Sequence, residues 1–444
     1  MLIVNGLSMT GHPLTVRTQE DRISAVSPGL APRRGETVID ARGGAVIPGL
    51  HDHHIHLRAA VTSAQSVDVG PPNVQGPDRL REVLASAYPR RDGWVRAVGY
   101  HDSVAGSLNR RVLDGIQDKI PVRVQHRSGA MWYVNSAGLQ LLGLPDHPTG
   151  QLFRHDAELV ALSGSGPIDY SNLSAHLSIL GVTGVTDATP NLSAGELDSL
   201  DDAARCGDLR QHVTALSPNS GRRARTITYG PIKRILDDDA LDLDELTGWI
   251  RDIHDRDYAI ALHCVTTAQM VVTTTALRTA GTRVGDRIEH GAMIPDALLP
   301  ELAELAVTVV TQPNFVAERG DEYLAEVAPA EQNELWRVAS LQNAGVAVAG
   351  STDAPFGRID PWASMRAARD RRSPRGVLVN GSEALSAHDA LRLFLGHSDN
   401  PASERRISPG ARADLCLLSE PPDTILRDLS ADHVSMTIIR GQIQ

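Results

Sequence analysis

The densest gathering of metal-capable side chains is the run His51-Asp52-His53-His54-Ile55-His56. In an extended segment successive side chains point to opposite faces, so Asp52, His54 and His56 share one face while His51 and His53 take the other. Two imidazoles two residues apart on one strand can both reach a single zinc ion at ~2.0–2.1 Å. Three more polar residues close or follow apolar runs. His263 ends Tyr-Ala-Ile-Ala-Leu-His, His290 ends Arg-Ile-Glu-His, and Asp353 follows Val-Ala-Val-Ala-Gly-Ser-Thr. One such histidine alone reads as a hydrogen-bonded core residue. Three independent placements at the carboxyl ends of predicted strands, the catalytic end of an α/β barrel, argue for a shared site. Imidazoles and carboxylates with a coordination position left open suit a catalytic metal rather than a structural one.

Lys233 joins them at the end of Thr-Ile-Thr-Tyr-Gly-Pro-Ile-Lys. Of 43 basic residues only Lys119 and Lys233 are lysines. Arginine replaces lysine freely at exposed sites but stays protonated, so it cannot act as an amine nucleophile or be carbamylated. A lysine that survives such a bias is a candidate for chemistry, and Lys119, in a helix-to-strand turn, reads as a surface cation. Neither lysine sits in Gly-Lys-Ser/Thr, which excludes a P-loop. A Gly-x-Ser-x-Gly nucleophile turn is absent. Cys264 beside His263 is no thiol pair, since strand neighbours diverge, and it reads as a small buried hydrophobe. By the same alternation Glu289 should point away from the site of His290. Asp187 ends another strand and lies at the right end to approach the site.

The elements that must carry these residues follow from the rest of the 444-residue chain. Short strands are predicted at Leu2–Val4, Leu14–Arg17, Ile23–Val26 and Thr37–Ile39. From about 170 to 400, strands at Val182–Asp187, His212–Leu216, Thr226–Lys233, Ala259–His263, Arg287–His290, Thr308–Gln312 and Val346–Ser351 alternate with helices. Those helices include Leu243–Asp257, Ala268–Ala280, Ala297–Leu305 and Gln332–Ala344. With the run Ala45–Leu50 this makes about eight βα units, which suits an α/β fold of (β/α)8 TIM-barrel type. Strands at Asp414–Leu418 and Val434–Ile439 should pair with the amino-terminal ones. The expected domains are therefore a small β-sheet or sandwich domain from residues 1–48 plus 405–444, and a barrel from 49–404 with an insertion at about 65–165. Six of the sixteen aromatics (5 Trp, 7 Tyr, 4 Phe) fall between Tyr88 and Phe153. They form either a satellite core or, for Trp94, Tyr100 and Trp132, part of a substrate pocket.

Composition removes other classes. A 41% hydrophobic fraction over this length can bury a large core, so a disordered chain is excluded. The formal charge of −11 without a basic block argues against nucleic acid. No apolar run reaches the ~18 residues of a membrane span, and the first residues lack a signal-peptide pattern. Three widely spaced cysteines make no disulfide framework. The expectation is a cytoplasmic protein acting on a small molecule, without nucleic-acid or membrane partners. A homodimer is the commonest arrangement for such chains.

Taken together, these motifs resemble the amidohydrolase superfamily, and within it the YtcJ-like branch that includes N-substituted formamide deformylases. Residues 48–57, Pro-Gly-Leu-His-Asp-His-His-Ile-His-Leu, resemble the first-strand motif of the family. Gly-Pro-Ile-Lys (230–233), Leu-His-Cys-Val (262–265), Arg-Ile-Glu-His (287–290) and Gly-Ser-Thr-Asp-Ala-Pro (350–355) resemble its later strand motifs. Val-Asn-Ser-Ala-Gly-Leu (134–139) and Pro-Gly-Ala-Arg-Ala-Asp-Leu (409–415) match further features of the branch. The resemblance implies His54, His56, Lys233, His263, His290 and Asp353 as metal ligands, with Lys233 carboxylated and bridging a binuclear centre. Two Zn2+ per chain are expected, with Co2+, Mn2+ or Fe2+ as alternatives that the same donors accept. It also implies metal-activated hydroxide attacking a substrate carbonyl, with Asp353 as catalytic general acid/base. The expected activity is hydrolysis of a linear C–N bond in a formamide, urea, carbamate or similar non-peptide amide. A cyclic amide or lactone hydrolase, or a deaminase, is the alternative on the same centre, and a metal-binding chain without turnover is a third. His51 and His53 are additions around the first motif that could recruit a further metal or a proton.

Overall fold

The computed structural model describes residues 1–154, 168–217 and 226–444. The chain divides into two compact units, Met1–Leu57 with Asp169–Gln444, and Arg58–Ile168.

The first unit is a mixed α/β structure built on two parallel ladders. In one, Leu50–Ile55, Val182–Asp187, His212–Ala215 and Thr228–Tyr229 lie side by side. In the other, Ile232–Ile235, Ile260–Cys264, Arg287–His290, Thr308–Thr311 and Ala347–Gly350 follow in chain order. Several of these strands are buried along their whole length, the pattern of parallel sheets covered on both faces. Their side chains are largely Val, Ile, Leu, Ala and Thr, so the sequence supplies apolar runs rather than an alternation. Helices between them are capped as their sequences prescribe. Asp242 accepts the Glu245 N–H ahead of Leu243–Asp255, and Thr266 accepts that of Gln269 ahead of Thr267–Ala280.

The expected single strand at 226–233 is broken at Gly230-Pro231. Pro231 has no N–H to donate, and the ladder changes partner there. Gly230 N–H donates to the Ala215 carbonyl at 2.8 Å, whereas Ile232 N–H donates to that of Ala259 at 2.8 Å. This short stretch therefore carries the chain from one ladder into the other. At the opposite edges, Asp353 N–H donates to the His54 carbonyl at 2.9 Å and His56 N–H to that of Ala354 at 2.8 Å.

Two other expectations change. The run Ala45–Leu50 is divided. Val46–Pro48 pairs antiparallel with Leu415–Leu418, and only Leu50–Ile55 enters the parallel ladder. Gly49 makes the crossing because a Cβ there would lie 2.1 Å from the Thr183 Cγ2. The helix expected at Gln332–Ala344 is a 3-10 turn, Gln332–Glu334, and a helix, Ala339–Asn343. Between them Trp336 has φ of 47° and donates its N–H to the Ala292 carbonyl, while Leu335 and Trp336 bury beside Phe315 and Val379. Tertiary burial of those two side chains overrides local helix propensity.

Strands from both chain ends share a core. Leu2–Leu7, Pro13–Gln19, Arg22–Ser27 and Val38–Asp40 form one sheet, and Val46–Pro48, Leu415–Leu418, Val434–Ile439 and Gln442–Ile443 another. Ile3, Val16 and Ile23 pack with Leu415, Leu417 and Ile438 in a single buried cluster.

The second unit has its own five-stranded sheet, running Val67–Asp68, Val95–Tyr100, Val122–His126, Met131–Val134 and Gln151–Phe153 across the sheet. The far end of the insertion expected at about 165 lies outside the described residues. Among the described residues no helix is long and apolar enough to cross a membrane.

Candidate active site

The strand Leu50–Ile55 delivers His54 and then His56 to the carboxyl end of the ladders. Its pairing with Val182–Asp187 is interrupted twice, and such irregularities re-aim side chains away from strict alternation. Asp353 comes from the segment after Ala347–Gly350. One ligand atom each from His54, His56 and Asp353 falls within 4.8 Å of the others. Asp353 Oδ1 lies 3.5 Å from His54 Nε2 and 3.3 Å from His56 Nε2. His290 Nδ1 is 3.9 Å from Asp353 Oδ2, and its ring centroid is 4.8 Å from that of His54. His263 stands edge-on to His290 at 4.4 Å between centroids. Lys233 Nζ reaches to 3.2 Å from His54 Nε2. All six residues expected at the site are thus brought together in the first unit.

Two of them adopt a backbone conformation that non-glycine residues seldom take. His290 has φ of 71° and Asp353 φ of 54°. Such outliers persist where the surroundings over-determine them, and they gather at functional sites. For His290 the turn has a direct consequence. Strand alternation sends Glu289 and His290 to opposite faces, yet both end beside His54. The expectation that Glu289 points away is therefore corrected. Its Oε2 is the hydrogen-bond acceptor of His54 Nδ1, and the same carboxylate accepts from Arg287, with Nη2 at 3.0 Å. Arg287 also donates to the His53 carbonyl at 2.6 Å.

Glu289 thereby fixes the His54 tautomer, with the proton on Nδ1 and the Nε2 lone pair facing Asp353 and Lys233. Gln312 does the same for His290, its Oε1 2.8 Å from Nδ1, while its Nε2 donates to Ser351 Oγ at 2.9 Å. Hydrogen bonds of this kind orient a metal-binding imidazole and raise its basicity. Asp187 positions the following segment by accepting the N–H groups of Leu57 and Thr189, both at 2.9 Å. Thr189 Oγ1 in turn lies 3.3 Å from His56 Nδ1. Asp52, on the His54 face by alternation, stays out of the ligand group. It accepts from the Thr352 N–H at 3.0 Å and from its hydroxyl, tying the first strand to the loop that bears Asp353. Burial pushes the Asp52 carboxyl up to about 7.

Electrostatics favour the donor forms. Burial, followed by the charge of Lys233, holds the His54 imidazole well below its ordinary value, and burial lowers that of His290. Burial also lowers the Lys233 ammonium. For Asp353 burial works against ionisation, but the neighbouring His56 and the charges of His290 and Lys233 outweigh it, so the carboxyl stays below its usual range. Neutral imidazoles around an ionised carboxylate form a cation-binding set. Asp353 Oδ1 is buried and, among the described residues, accepts no hydrogen bond, so it has an unsatisfied lone pair aimed at the two Nε2 atoms. These residues fit a divalent cation.

The three aromatics expected to bind substrate belong to the second unit, and His51, His53 and Cys264 to the first. Trp94 and Trp132 are buried in an apolar cluster of the second unit with Val134, Leu139 and Leu152. The Arg123 guanidinium lies 5.2 Å from the Trp94 ring and 5.6 Å from Trp132. Tyr100 is fully buried in the main core of that unit, its hydroxyl donating to the Gly106 carbonyl. All three rings are packing elements of the second unit. His51 Nε2 pairs with Thr186 Oγ1 at 2.9 Å, and neither His51 nor His53 joins the ligand group. Cys264 is buried, its Sγ 3.1 Å from Thr273 Oγ1, and burial raises its thiol to about 12. Sequence reasoning missed Gln312 and Thr352. Gln312 was within reach, because it follows the strand Thr308–Thr311 as a polar residue at a carboxyl end.

Comparison with known proteins converges on one family. The amidohydrolase family model matches residues 37–162 and 207–444. An N-substituted formamide deformylase of Arthrobacter pascens is 24% identical over 92% of this chain and 89% of its own length. The putative amidohydrolase YtcJ of Bacillus subtilis is 26% identical over 45% of this chain and 40% of its own. Among solved structures, an uncharacterized metal-dependent hydrolase from Pyrococcus horikoshii superimposes with a TM-score of 0.75 at 20% identity, covering 95% of this chain and 97% of that one. The zinc complex of the atrazine chlorohydrolase TrzN from Arthrobacter aurescens gives 0.57 at 15% identity, covering 100% and 94%. The chain belongs to the amidohydrolase family, as a hydrolase of its YtcJ-like branch.

Proposed function

We propose that this enzyme hydrolyses a linear C–N bond in a non-peptide small molecule, with a formamide as the first substrate class to consider. The observation that carries the reading is the buried, unpartnered Asp353 Oδ1 facing His54 Nε2 and His56 Nε2 at the carboxyl ends of parallel strands. Similarity to an N-substituted formamide deformylase along nearly the whole chain supports the substrate class. In this reading the two ladders close into one (β/α)8 barrel through the Gly230-Pro231 crossing and the bonds between His54, His56 and residues 353–354. The terminal sheets then form the small β domain beside it.

His54, His56, His263, His290 and Asp353 would hold the metal, with Lys233 carboxylated as the ligand shared by two ions. Divalent cations there supply Lewis acidity, which polarises a substrate carbonyl and makes water acidic near neutral pH. Asp353, kept ionised by its neighbours, takes the proton of the attacking water at a carboxylate oxygen and returns it to the leaving nitrogen. Glu289 holds the His54 ring so that Nε2, not Nδ1, faces Asp353, and Gln312 holds the His290 ring through its Nδ1. Carboxylation of Lys233 joins its Nζ to CO2 and releases one proton, a reaction that arginine cannot undergo.

A panel of N-alkyl and N-aryl formamides, ureas, lactones and amino-triazines, assayed for amine, ammonia and acid release, tests the reading. Formate and amine released from formamides at the highest kcat/KM are expected. Preference for lactones, or ammonia released from a triazine, would overturn it.

A further inference from the structure

A polar cavity of about 220 Å3 lies in the first unit at the amino ends of the parallel strands, opposite the His54 group. Its place follows from its walls. Thr183 and Gly184 begin the strand Val182–Asp187, His212 begins His212–Ala215, and His51 stands three residues ahead of His54. Arg405, Arg406 and Arg412 face this space against two carboxylates, Asp399 and Asp414. Asp414 is already engaged, accepting from His212 Nε2 at 2.9 Å and from the Arg440 N–H at 2.9 Å.

The arginines are not matched in that way. Arg405 Nε donates to the carbonyls of Leu395 and Gly396 at 3.2 and 2.8 Å, and its Nη2 to that of Gly49. None of those partners carries a charge. Arg406 is exposed and has no hydrogen-bond or ion-pair partner among the described residues. Arg412 is exposed, and its Nη1 lies 3.2 Å from His212 Nδ1. Behind His51, the fully buried His53 has its ring centroid 4.5 Å from that of His51, and among the described residues neither of its ring nitrogens has a hydrogen-bond partner. Guanidinium groups that make no hydrogen bond to a carboxylate are free to take an acceptor in the adjacent space, which His53 itself does not line. A metal does not answer the need, because among the described residues the only ligand atoms gathered within 4.8 Å are those of His54, His56 and Asp353. Planar guanidinium donors facing a polar, solvent-open cleft suit an oxyanion.

We propose that this cavity is a binding site for a small oxyanion, a phosphate or carboxylate group, held by Arg405, Arg406 and Arg412. Its occupant would link residues 405–412 to the starts of the parallel strands.

Isothermal titration calorimetry on the metal-loaded full chain tests this, with inorganic phosphate and acetate as separate probes at constant ionic strength. Arg406→Gln and Arg412→Gln are compared with Arg34→Gln, which removes the same charge at an exposed position. One saturable site for at least one probe is expected. Its affinity should fall by roughly tenfold or more in Arg406→Gln and Arg412→Gln and stay unchanged in Arg34→Gln, the loss of one charge-assisted bond. Saturable binding of phosphate alone or of acetate alone supports the site and identifies the source. No saturable binding of either, or equal affinity in all three variants and wild type, would overturn it. Anion binding at the metal centre gives that second result, so the two sites are told apart.

Discussion

Replacing Glu289 by glutamine probes whether the site is organised from beneath. The carboxylate serves two donors, His54 Nδ1 and the Arg287 guanidinium, and none of the three side chains is exposed. Glutamine keeps the shape but offers one acceptor oxygen, so its NH2 group must face either the His54 N–H or the guanidinium. Arg287 also loses its carboxylate contact and keeps the His53 carbonyl at 2.6 Å. Breaking a buried ion pair costs ~3–5 kcal/mol. With one hydrogen bond retained, Glu289→Gln is expected near the lower bound, about 3 kcal/mol of stability. Loss of an orienting partner to a metal-binding histidine weakens metal affinity by roughly 10–100-fold. Denaturant unfolding measures the first effect, and competition against a chromophoric chelator the second. Excess metal should restore most of kcat, because Glu289 touches no reacting atom. Wild-type stability and wild-type metal affinity in Glu289→Gln would refute the assigned orientation of His54.

Asp353→Asn should lower kcat by ~10²–10⁴-fold with the protein still folded, measured by steady-state kinetics beside circular dichroism, since proton transfer is removed. Gly184→Ala places a Cβ 2.4 Å from His51 Nδ1 in a buried strand, and should destabilise by about 1–3 kcal/mol in urea unfolding. Glu36 is held down to about 2, first by its hydrogen bond with Arg17 and then by the Arg33 N–H. Its folded value is depressed, so its stabilisation is complete above the ordinary carboxyl range and is lost as pH falls toward about 2. Glu36→Gln should therefore flatten the acid limb of the stability–pH curve and lower stability at neutral pH.

The parallel strands were legible because their apolar runs are bounded by turn residues and end in polar ones. His54, His56, His263, His290 and Asp353 stand out from that pattern and Lys233 from the scarcity of lysine, while their shared ligand role is what the family resemblance implies. What failed were inferences that took strand alternation as strict. Glu289 reaches His54 because His290 turns at φ of 71° and because the first strand's pairing is irregular, neither of which spacing reveals. The break at Gly230-Pro231 was visible as residues but not as a change of ladder. The interrupted helix before Ala344 depends on Leu335 and Trp336 finding a core contributed by Phe315 and Val379, a contact remote in sequence. Trp94, Tyr100 and Trp132 drew attention as a cluster of rings, and composition cannot separate rings lining a pocket from rings filling a core.

The proposed function requires Lys233 to belong with the histidines and Asp353 in one metal centre. Elemental analysis of the purified protein, alongside turnover and chelation, measures it most directly. About two equivalents of divalent cation per chain are expected, removed together with activity by a chelator, with no more than about one equivalent and no turnover in Lys233→Arg. A metal-free wild-type protein that turns over, or a Lys233→Arg variant with full metal content and full activity, would contradict the account.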